Sequence, residues 1–311
     1  MRVFVSGSLA YDRIMDYPGR FSDHILPDKI HQLSVSFNVA TYRQSYGGTA
    51  GNIGYSLAQL GIEPRIVARY GHDFAPYQAW LRRCGISLQY SKPDRSATAA
   101  AHMMTDRSDN QITGFFPGAL VRPYGGFPRR VFAGVTLAII APGNLTDMER
   151  LPSALARNDV PYFYDPGQST TALSRRALDR GLAAALGLFC NDYELDLILK
   201  KTRTSLDALR RQLGMVVVTK GERGSDIYAG GARYHIPIVR ARRVVDPTGA
   251  GDAYRAGFIA GLLRGYTIPT IGRIAATVAV AAVEHYGTQE HRLNWPQVRL
   301  RYRRSFGRLP T

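Results

Sequence analysis

The chain contains 311 residues, of which 45% are apolar and 21% are charged, and this composition excludes a disordered protein. Its net charge of +16 comes mostly from arginines spread along the sequence, with no accompanying nucleic-acid-binding motif. Two cysteines are too few for a disulfide framework, no apolar run is long enough to cross a membrane, and the first residues lack a signal-peptide pattern. We therefore expect a cytoplasmic protein that binds neither nucleic acid nor membrane.

Segments typical of strands and helices alternate along the chain. Strand patterns occupy residues 3–6, 65–68, 137–140, 162–164, 186–190 and 215–219. Helix patterns at 52–60 and 74–84 each end at a glycine, the usual stop residue, and another begins near residue 254. This alternation predicts an α/β fold with a doubly wound, mostly parallel sheet that has helices on both faces. Ligands in such folds bind beyond the carboxyl ends of the strands.

Two stretches interrupt this alternation. Residues 17–46 are rich in β-branched and aromatic residues, and residues 97–116 form two extended runs around a turn at 106–110. Both stretches suit a small β-sheet attached to the main sheet. We assign it to about residues 13–46 and 97–117 of a single domain that spans residues 1–311.

The segment Asp-Pro-Thr-Gly-Ala-Gly-Asp at 246–252 follows an extended run and opens a helix. Gly249, Ala250 and Gly251 are small enough for a ligand to approach the backbone, and the first N–H groups of a helix attract anions. Asp252 lies beside them, where it can accept a proton from a hydroxyl group. Together these features predict phosphoryl transfer. The alternative is that Asp252 only caps the helix.

A second glycine-rich loop, at 47–52, also opens a helix. It has neither the strand–G-x-G-x-x-G order of dinucleotide-binding folds nor a P-loop pattern, and its glycines are also explained by a tight turn. Asp12 follows the first strand, and its carboxylate can accept hydrogen bonds from two neighbouring hydroxyl groups of a ribose. An exposed turn residue is the alternative for Asp12.

The order of the motifs along the chain resembles the PfkB, or ribokinase-like, family of small-molecule kinases. The resemblance covers nearly the whole chain and rests on Asp12, Gly47-Gly48, Asn191-x-x-Glu194, Thr219-Lys220-Gly221 and Gly249-Ala250-Gly251-Asp252. It implies a ribokinase-like fold, ATP as phosphoryl donor, Asp252 as the base, and a small-sheet lid over the acceptor. It also implies that Ser8, Asp12, Gly47, Gly48 and Asn52 bind the acceptor, although many members have Asn near the position of Ser8.

The resemblance implies nucleotide and metal contacts as well. The residues assigned to ATP are Asn191, Thr219, Gly221, Gly224, Gly249 and Gly251. Glu194 would order Mg²⁺ through water, which suits an ion that keeps most of its waters. Asp246 and Thr248 would offer oxygens to K⁺. Asn-x-x-Glu is also a helix-capping pattern, and residues 219–225 are also typical of a hairpin turn.

Within the family, the segments 24–28, 48–55, 110–119 and 165–168 are most similar to bacterial adenosine and broad-specificity nucleoside kinases. The predicted reaction is therefore ATP-dependent phosphorylation of a nucleoside 5′-hydroxyl, with adenosine as the expected acceptor. We expect Gln111, Phe115 and Gln168 to contact the base or the ribose. The lid region also contains other aromatic residues, which suit either a nucleobase or the core of the small sheet: Phe21, Phe37, Tyr42, Tyr46 and Phe116.

Two alternatives stay open at this point. A sugar or sugar-phosphate kinase of the same family, of the ribokinase or fructokinase type, would be favoured by arginines in the lid. A non-catalytic protein that binds nucleic acid or a partner would use the arginine-rich surface, whose densest part is the stretch 299–308. The sequence also leaves open whether the chain forms a homodimer.

Overall fold

The computed structural model describes residues 1–25, 34–108 and 110–310. Numbered in chain order, its strands are β1 (Arg2–Ser6), β2 (Ala10–Asp16), β3 (Thr41–Gly47), β4 (Glu63–Val67), β5 (Arg69–Tyr70), β6 (Lys92–Pro93), β7 (Ala99–Thr105), β8 (Gln111–Phe116), β9 (Leu137–Ile140), β10 (Tyr162–Tyr164), β11 (Gly187–Asn191), β12 (Met215–Thr219), β13 (Ser225–Ala229) and β14 (Ala232–Ile236). Its helices are α1 (Thr49–Gln59), α2 (Ala75–Arg83), α3 (Leu145–Ala156), α4 (Arg175–Ala183), α5 (Asp192–Thr202), α6 (Leu206–Gln212), α7 (Ala250–Leu263), α8 (Ile268–Val283) and α9 (Trp295–Phe306).

The large sheet has eight strands in the order β14-β13-β12-β11-β10-β9-β1-β4. Six neighbouring strands, β12, β11, β10, β9, β1 and β4, pair in parallel. Strands β13 and β14 extend the sheet beyond β12 with antiparallel pairing. The parallel strands β9, β10 and β12 are apolar and almost completely buried, as expected for a sheet covered on both faces. One apolar core lies on the face covered by α1, α7 and α8, and a second lies beneath α3, α4 and α5. The predicted doubly wound α/β fold is confirmed.

A separate sheet of four strands has the order β3-β2-β7-β8. The hairpin of β7 and β8 turns where the sequence predicts, although Asp109 in that turn lies outside the described residues. Residues 26–28 of the segment 24–28 also lie outside them. The central strand β2 begins at Ala10, three residues before the predicted boundary, so Asp12 lies within a strand and not in a turn.

Two helices begin earlier than the sequence predicts. Helix α1 begins at Thr49 and not at Asn52, and α7 begins at Ala250 and not near Tyr254. The residue before each helix is a glycine with positive φ, 85° at Gly48 and 77° at Gly249. These glycines turn the chain into the helix directly, whereas apolar periodicity only marks the residues that face the core.

Cys84 and Cys190 are both free, as the sequence predicts, and Cys190 is buried. Within the part of the chain that the structure describes, none of the helices has the length and apolar character needed to cross a membrane.

Candidate active site

A cleft of about 520 Å³ lies between the carboxyl ends of the large-sheet strands and the small sheet. This is the position expected for a ligand in a doubly wound fold. The residues that line it come from strands of both sheets, from the loops between strands and helices, and from the N-terminal turns of α1, α5 and α7: Ser8, Ala10, Asp12, Gly48, Thr49, Asn52, Ala101, Phe115, Leu120, Pro142, Gly143, Asp165, Gly167, Gln168, Ser169, Asn191, Glu194, Thr219, Thr248, Gly249, Gly251, Asp252, Arg255 and Thr288.

The first turn of α7 forms one end of the cleft. Gly249 and Gly251 line the cleft, and their N–H groups have no hydrogen-bond partner among the residues that the structure describes. The Ala250 N–H donates to the Pro247 carbonyl at 3.2 Å, so Ala250 is less suited to hold a ligand than its two neighbours. Free N–H groups at the positive end of a helix dipole are suited to bind an anion.

A chain of hydrogen bonds fixes the Asp252 carboxylate in this turn. Asn52 donates from Nδ2 to Asp252 Oδ2 at 2.8 Å. The Oδ1 of Asn52 accepts from Thr288 Oγ1 at 2.7 Å and from Gln289 Nε2 at 3.1 Å. Because both donors approach the oxygen, the NH₂ group of Asn52 faces the carboxylate. The Asp252 carboxylate is therefore held as a hydrogen-bond acceptor by a side chain of another helix.

Asp12 and Asp252 both have raised pKa values. Burial raises the pKa of Asp252 to about 6, while the neighbouring Arg255 and the hydrogen bond from Asn52 act in the opposite direction. Burial also raises the pKa of Asp12 to about 6, and the negative charges of Asp252 and Asp246 add to this effect. A carboxylate with a pKa near 6 is ionised at neutral pH and is a stronger base than an ordinary one.

The glycine-rich loop before α1 is shaped by the residues around it. A Cβ on Gly47 would lie 2.2 Å from Asp12 Oδ2, so only glycine leaves room for that carboxylate. A Cβ on Gly48 would lie 2.6 Å from the Ser8 carbonyl oxygen. Ser8 accepts a hydrogen bond from the Thr49 N–H at its Oγ, at 3.0 Å. The Ser8 hydroxyl therefore supports the loop, although Ser8 also lines the cleft.

Asn191 and Glu194 form a capping box at the start of α5. The Glu194 N–H donates to Asn191 Oδ1 at 2.7 Å, and the Asn191 N–H donates to Glu194 Oε2 at 2.8 Å. The helix-capping interpretation is therefore correct, but both residues also line the cleft, with Thr219 nearby. Burial raises the pKa of Glu194.

The described ranges contain no group of three His, Cys, Asp or Glu side chains that could hold a metal directly. The cleft residues therefore suit Mg²⁺ only if the ion keeps most of its waters. Glu194 is the carboxylate predicted to hold the ion through such waters. Asp246 accepts backbone hydrogen bonds from Thr248 at 2.9 Å and Gly287 at 3.0 Å. Thr248 lines the cleft and Asp246 does not, and binding of K⁺ by this pair stays a prediction.

Several predicted site residues do not line the cleft. Gly47 lies against the Asp12 carboxylate, as described above. The Ala250 N–H and the Asp246 carboxylate form hydrogen bonds with backbone groups near the start of α7. Gly221 and Gly224 lie in the turn between β12 and β13, where a Cβ on Gly224 would meet the Ile236 carbonyl oxygen at 2.1 Å. Their positive φ angles, 57° and 78°, agree with the hairpin-turn alternative.

Gln111 also lies away from the cleft. It is exposed on β8 and donates to Thr113 Oγ1 at 2.8 Å. Phe115 lies four residues further along the strand, a separation of about 13 Å, and it does line the cleft. Gln111 is therefore at the far end of β8, whereas Gln168 lines the cleft from the large-sheet side.

The aromatic residues of the lid region separate into two groups. Phe21 and Phe37 pack against each other, with ring centroids 5.2 Å apart, and against Tyr17. Tyr46 stacks on Tyr77 at 4.6 Å. These rings form local cores, as the alternative interpretation expects. Tyr42, Phe115 and Phe116 are exposed instead, and of these three Phe115 lines the cleft.

Polar residues of the cleft that were not predicted from the sequence include Asp165, Arg255 and Thr288. Arg255 and Asp165 form a buried ion pair with two hydrogen bonds, and Thr288 orients Asn52. Asp165 follows β10, as site residues in this fold do, so its position was a detectable signal. Arg255 lies three residues after Asp252 on α7, which places both on the same face of the helix. Thr288 lies in an irregular segment and has no sequence signal.

Solved structures with high similarity to this chain include the nucleoside kinase of Burkholderia thailandensis in complex with inosine, with 34% identity, a TM-score of 0.86 and 99% of each chain covered. Its complex with ADP and inosine has 35% identity and a TM-score of 0.84 and covers 99% of this chain and 97% of that one. The nucleoside kinase of Methanocaldococcus jannaschii is 30% identical over 276 residues, which are 87% of this chain and 90% of that protein.

The sequence also matches the profile of the pfkB family carbohydrate kinases over residues 5–295. This match agrees with the ribokinase-like fold described above. The chain therefore belongs to the pfkB family of carbohydrate kinases and is a phosphotransferase that acts on an alcohol group.

Proposed function

We propose that this protein transfers the γ-phosphate of ATP to the 5′-hydroxyl of a nucleoside, with adenosine as the expected acceptor. The observation that carries the proposal is the position of Asp252. Its carboxylate lies in the first turn of α7, oriented by Asn52, in a cleft closed on the other side by the small sheet. The similar kinases from Burkholderia and Methanocaldococcus support a nucleoside acceptor.

In the proposed reaction, Asp252 accepts the proton of the 5′-hydroxyl group. The hydroxyl oxygen forms a bond to the γ-phosphorus of ATP, the bond from that phosphorus to the bridging oxygen breaks, and ADP leaves with the electron pair. The N–H groups of Gly249 and Gly251 donate hydrogen bonds to the phosphoryl oxygens, whose charge they stabilise. Asn52 keeps the carboxylate in place, which preserves the geometry of attack.

The acceptor would lie between the two sheets. Asp12 and Gly48, with the second N–H of the Asn52 amide, would bind the ribose hydroxyls, and Phe115 would cover the base. Closure of the small sheet as a lid would exclude water. The proposed ATP site is formed by Asn191 and Thr219 on the opposite side. Mg²⁺ held through water by Glu194 would neutralise phosphate charge, and K⁺ would bind near Asp246 and Thr248.

A nucleoside fits the small-sheet side of the cleft better than a sugar phosphate does. The small-sheet residues that line the cleft are Ala10, Asp12, Ala101 and Phe115. Among the described residues, this side presents no Lys, Arg or His to the cleft, and a phosphorylated acceptor would need such a cation. An apolar surface with one aromatic ring instead suits a nucleobase.

The test is a panel of acceptors with Mg-ATP, in which ADP release is measured for adenosine, inosine, guanosine, cytidine, ribose, fructose and fructose 6-phosphate. We expect turnover on nucleosides, and on adenosine most rapidly. Turnover only on free sugars or sugar phosphates would keep the phosphoryl-transfer mechanism and contradict the nucleoside assignment. Inosine preferred to adenosine would contradict only the choice of nucleoside.

Replacement of Asp12 by Ala is expected to raise KM for the nucleoside by roughly ten- to a hundredfold, the usual loss for hydrogen bonds to a charged group, and to change kcat much less. The reason is that Asp12 faces the acceptor and not the donor. Asp16→Ala on the same strand is the matched control, because Asp16 is not among the residues that line the cleft. An unchanged KM in Asp12→Ala would contradict the assignment.

The pH dependence of kcat/KM should show an acid limb near pH 6. Burial raises the pKa of both Asp252 and Asp12 to about 6, so each carboxyl is ionised above that pH and gains a proton below it. Since a protonated Asp252 cannot accept the hydroxyl proton, activity should fall as the pH drops through 6. Full activity at pH 5 in a steady-state pH profile would contradict this prediction.

A further inference from the structure

Arg255 and Asp165 form a buried ion pair at the floor of the cleft. Arg255 is 9% exposed and Asp165 is 1% exposed. Arg255 Nη2 donates to Asp165 Oδ1 at 2.8 Å, and Nε donates to Oδ2, so the two planar groups pair through both oxygens. This pairing fixes the plane and the position of the guanidinium group.

The third nitrogen of this guanidinium group points elsewhere. Nη1 has no hydrogen-bond partner within residues 1–25, 34–108 and 110–310. It lies 2.8 Å from the position that a Cβ on Gly251 would occupy, so it lies against the first turn of α7. Gly251 and Gly249 offer their N–H groups in the same turn. The free end of Arg255 therefore adds two N–H donors and a positive charge to the anion site.

Arg255 is also distinguished by its charge from the other residues that line the cleft. Among the described residues that line the cleft, it is the single Lys, Arg or His, whereas four are carboxylic acids: Asp12, Asp165, Glu194 and Asp252. One of these acids, Asp165, is already paired with it. A cation with its remaining donors directed to a helix N-terminus is suited to an anion that carries developing charge.

Building on the proposed function, we propose that Arg255 is a catalytic residue whose Nη1 donates to an oxygen of the phosphoryl group during its transfer, and that Asp165 is the positioning residue that aims it. Arg255 also lies close enough to Asp252 to act on it, since its charge lowers the pKa of that carboxyl. Arg255 thus stabilises the ionised form of Asp252, and it also stabilises the phosphoryl group that the acceptor hydroxyl attacks.

A single Arg255 variant cannot test this, because it leaves the buried Asp165 carboxylate without a partner and destabilises the fold. The informative variant is the double replacement Arg255→Met with Asp165→Asn, which removes both charges and keeps similar volumes. If the pair only supports the fold, the double variant should be as active as the wild type. If Arg255 contacts the phosphoryl group, the double variant should fold and should still lose kcat by roughly a hundred- to a thousandfold, the usual effect of one transition-state donor.

Binding measurements separate the catalytic role from a structural one. ADP with aluminium fluoride and a nucleoside mimics the phosphoryl group in transfer. In the wild type, aluminium fluoride should strengthen ADP binding in calorimetry. In the double variant, ADP and nucleoside should bind as in the wild type, and aluminium fluoride should add little. Arg264→Met is the matched control, because Arg264 directly follows the last residue of the same helix and packs on Trp295, and it is not among the residues that line the cleft.

A double variant that folds with wild-type kcat and a wild-type response to aluminium fluoride would overturn the catalytic role of Arg255. The proposed function would not be affected by that result. A wild-type protein without turnover on any acceptor would overturn the proposed function, and this assignment with it. Loss of kcat and of the aluminium fluoride response in the double variant, with both retained in Arg264→Met, would support it.

Discussion

We expect Asp252→Asn to lower kcat by roughly a hundred- to ten-thousandfold, the range for loss of a general base. An amide has nearly the same shape as the carboxylate, and its oxygen can still accept the hydrogen bond from Asn52 Nδ2. What it cannot do is take the proton of the acceptor hydroxyl. ATP binding should therefore change little, because the donors of Gly249 and Gly251 are main-chain groups.

The measurement is kcat with saturating ATP and nucleoside, together with calorimetric ADP binding. Asp207→Asn is the control, since Asp207 is an exposed residue of α6 outside the cleft. A variant with kcat within threefold of the wild type would remove Asp252 from the mechanism. Loss of ADP binding together with kcat would instead assign Asp252 to the structure of the α7 turn.

The second large effect is expected for Gly249→Ala, with a loss of kcat of roughly a hundredfold, as small displacements of catalytic groups cause. Gly249 has φ of 77°, and a Cβ there would lie 2.9 Å from Cβ and Cγ2 of Thr288. Thr288 in turn holds the amide of Asn52, which orients Asp252. One added methyl group therefore disturbs both the anion site and the base.

Gly265→Ala is the matched control for this prediction. Gly265 also has a positive φ, 75°, but a Cβ there would meet nothing within 4 Å. Both variants therefore carry a similar backbone strain, and only Gly249→Ala adds the contact with Thr288. Kinetics and thermal unfolding of the two proteins should be compared. Equal losses of kcat would show that backbone strain, and not the displaced Thr288, is responsible.

The elements of the fold were predictable because each depends on residues close in the sequence. The apolar runs of β9, β10 and β12 have the predicted bounds to the residue, and the hairpin of β7 and β8 turns where Asp, Ser and Asn are concentrated. The α7 turn was predictable for the same reason, since two glycines and an acid at a helix start are a local arrangement. The beginnings of α1 and α7 were placed too late, because they are set by glycine backbone angles.

Residue roles were predicted less well where the distance along a strand or the direction of a side chain decides whether the residue reaches the cleft. Gln111 and Phe115 are both on β8 with the same alternation, but only Phe115 reaches the cleft. Phe21 and Phe37 are aromatic residues of the lid region like Phe115, yet they pack on Tyr17. Composition cannot separate a ring in a local core from one that faces a ligand.

The sequence by itself determined the α/β fold, the family and the acid at the start of α7, because local patterns and short motifs encode them. Only the tertiary structure decided which side chains complete the site. Asn52 meets Asp252 across 200 residues, and Arg255 meets Asp165 across 90. Such pairs form because parallel strands bring their carboxyl ends to one edge, where α1 and α7 also begin. The local sequence marks Asp165 as a residue that follows a strand, but only the packing of the folded chain pairs it with Arg255.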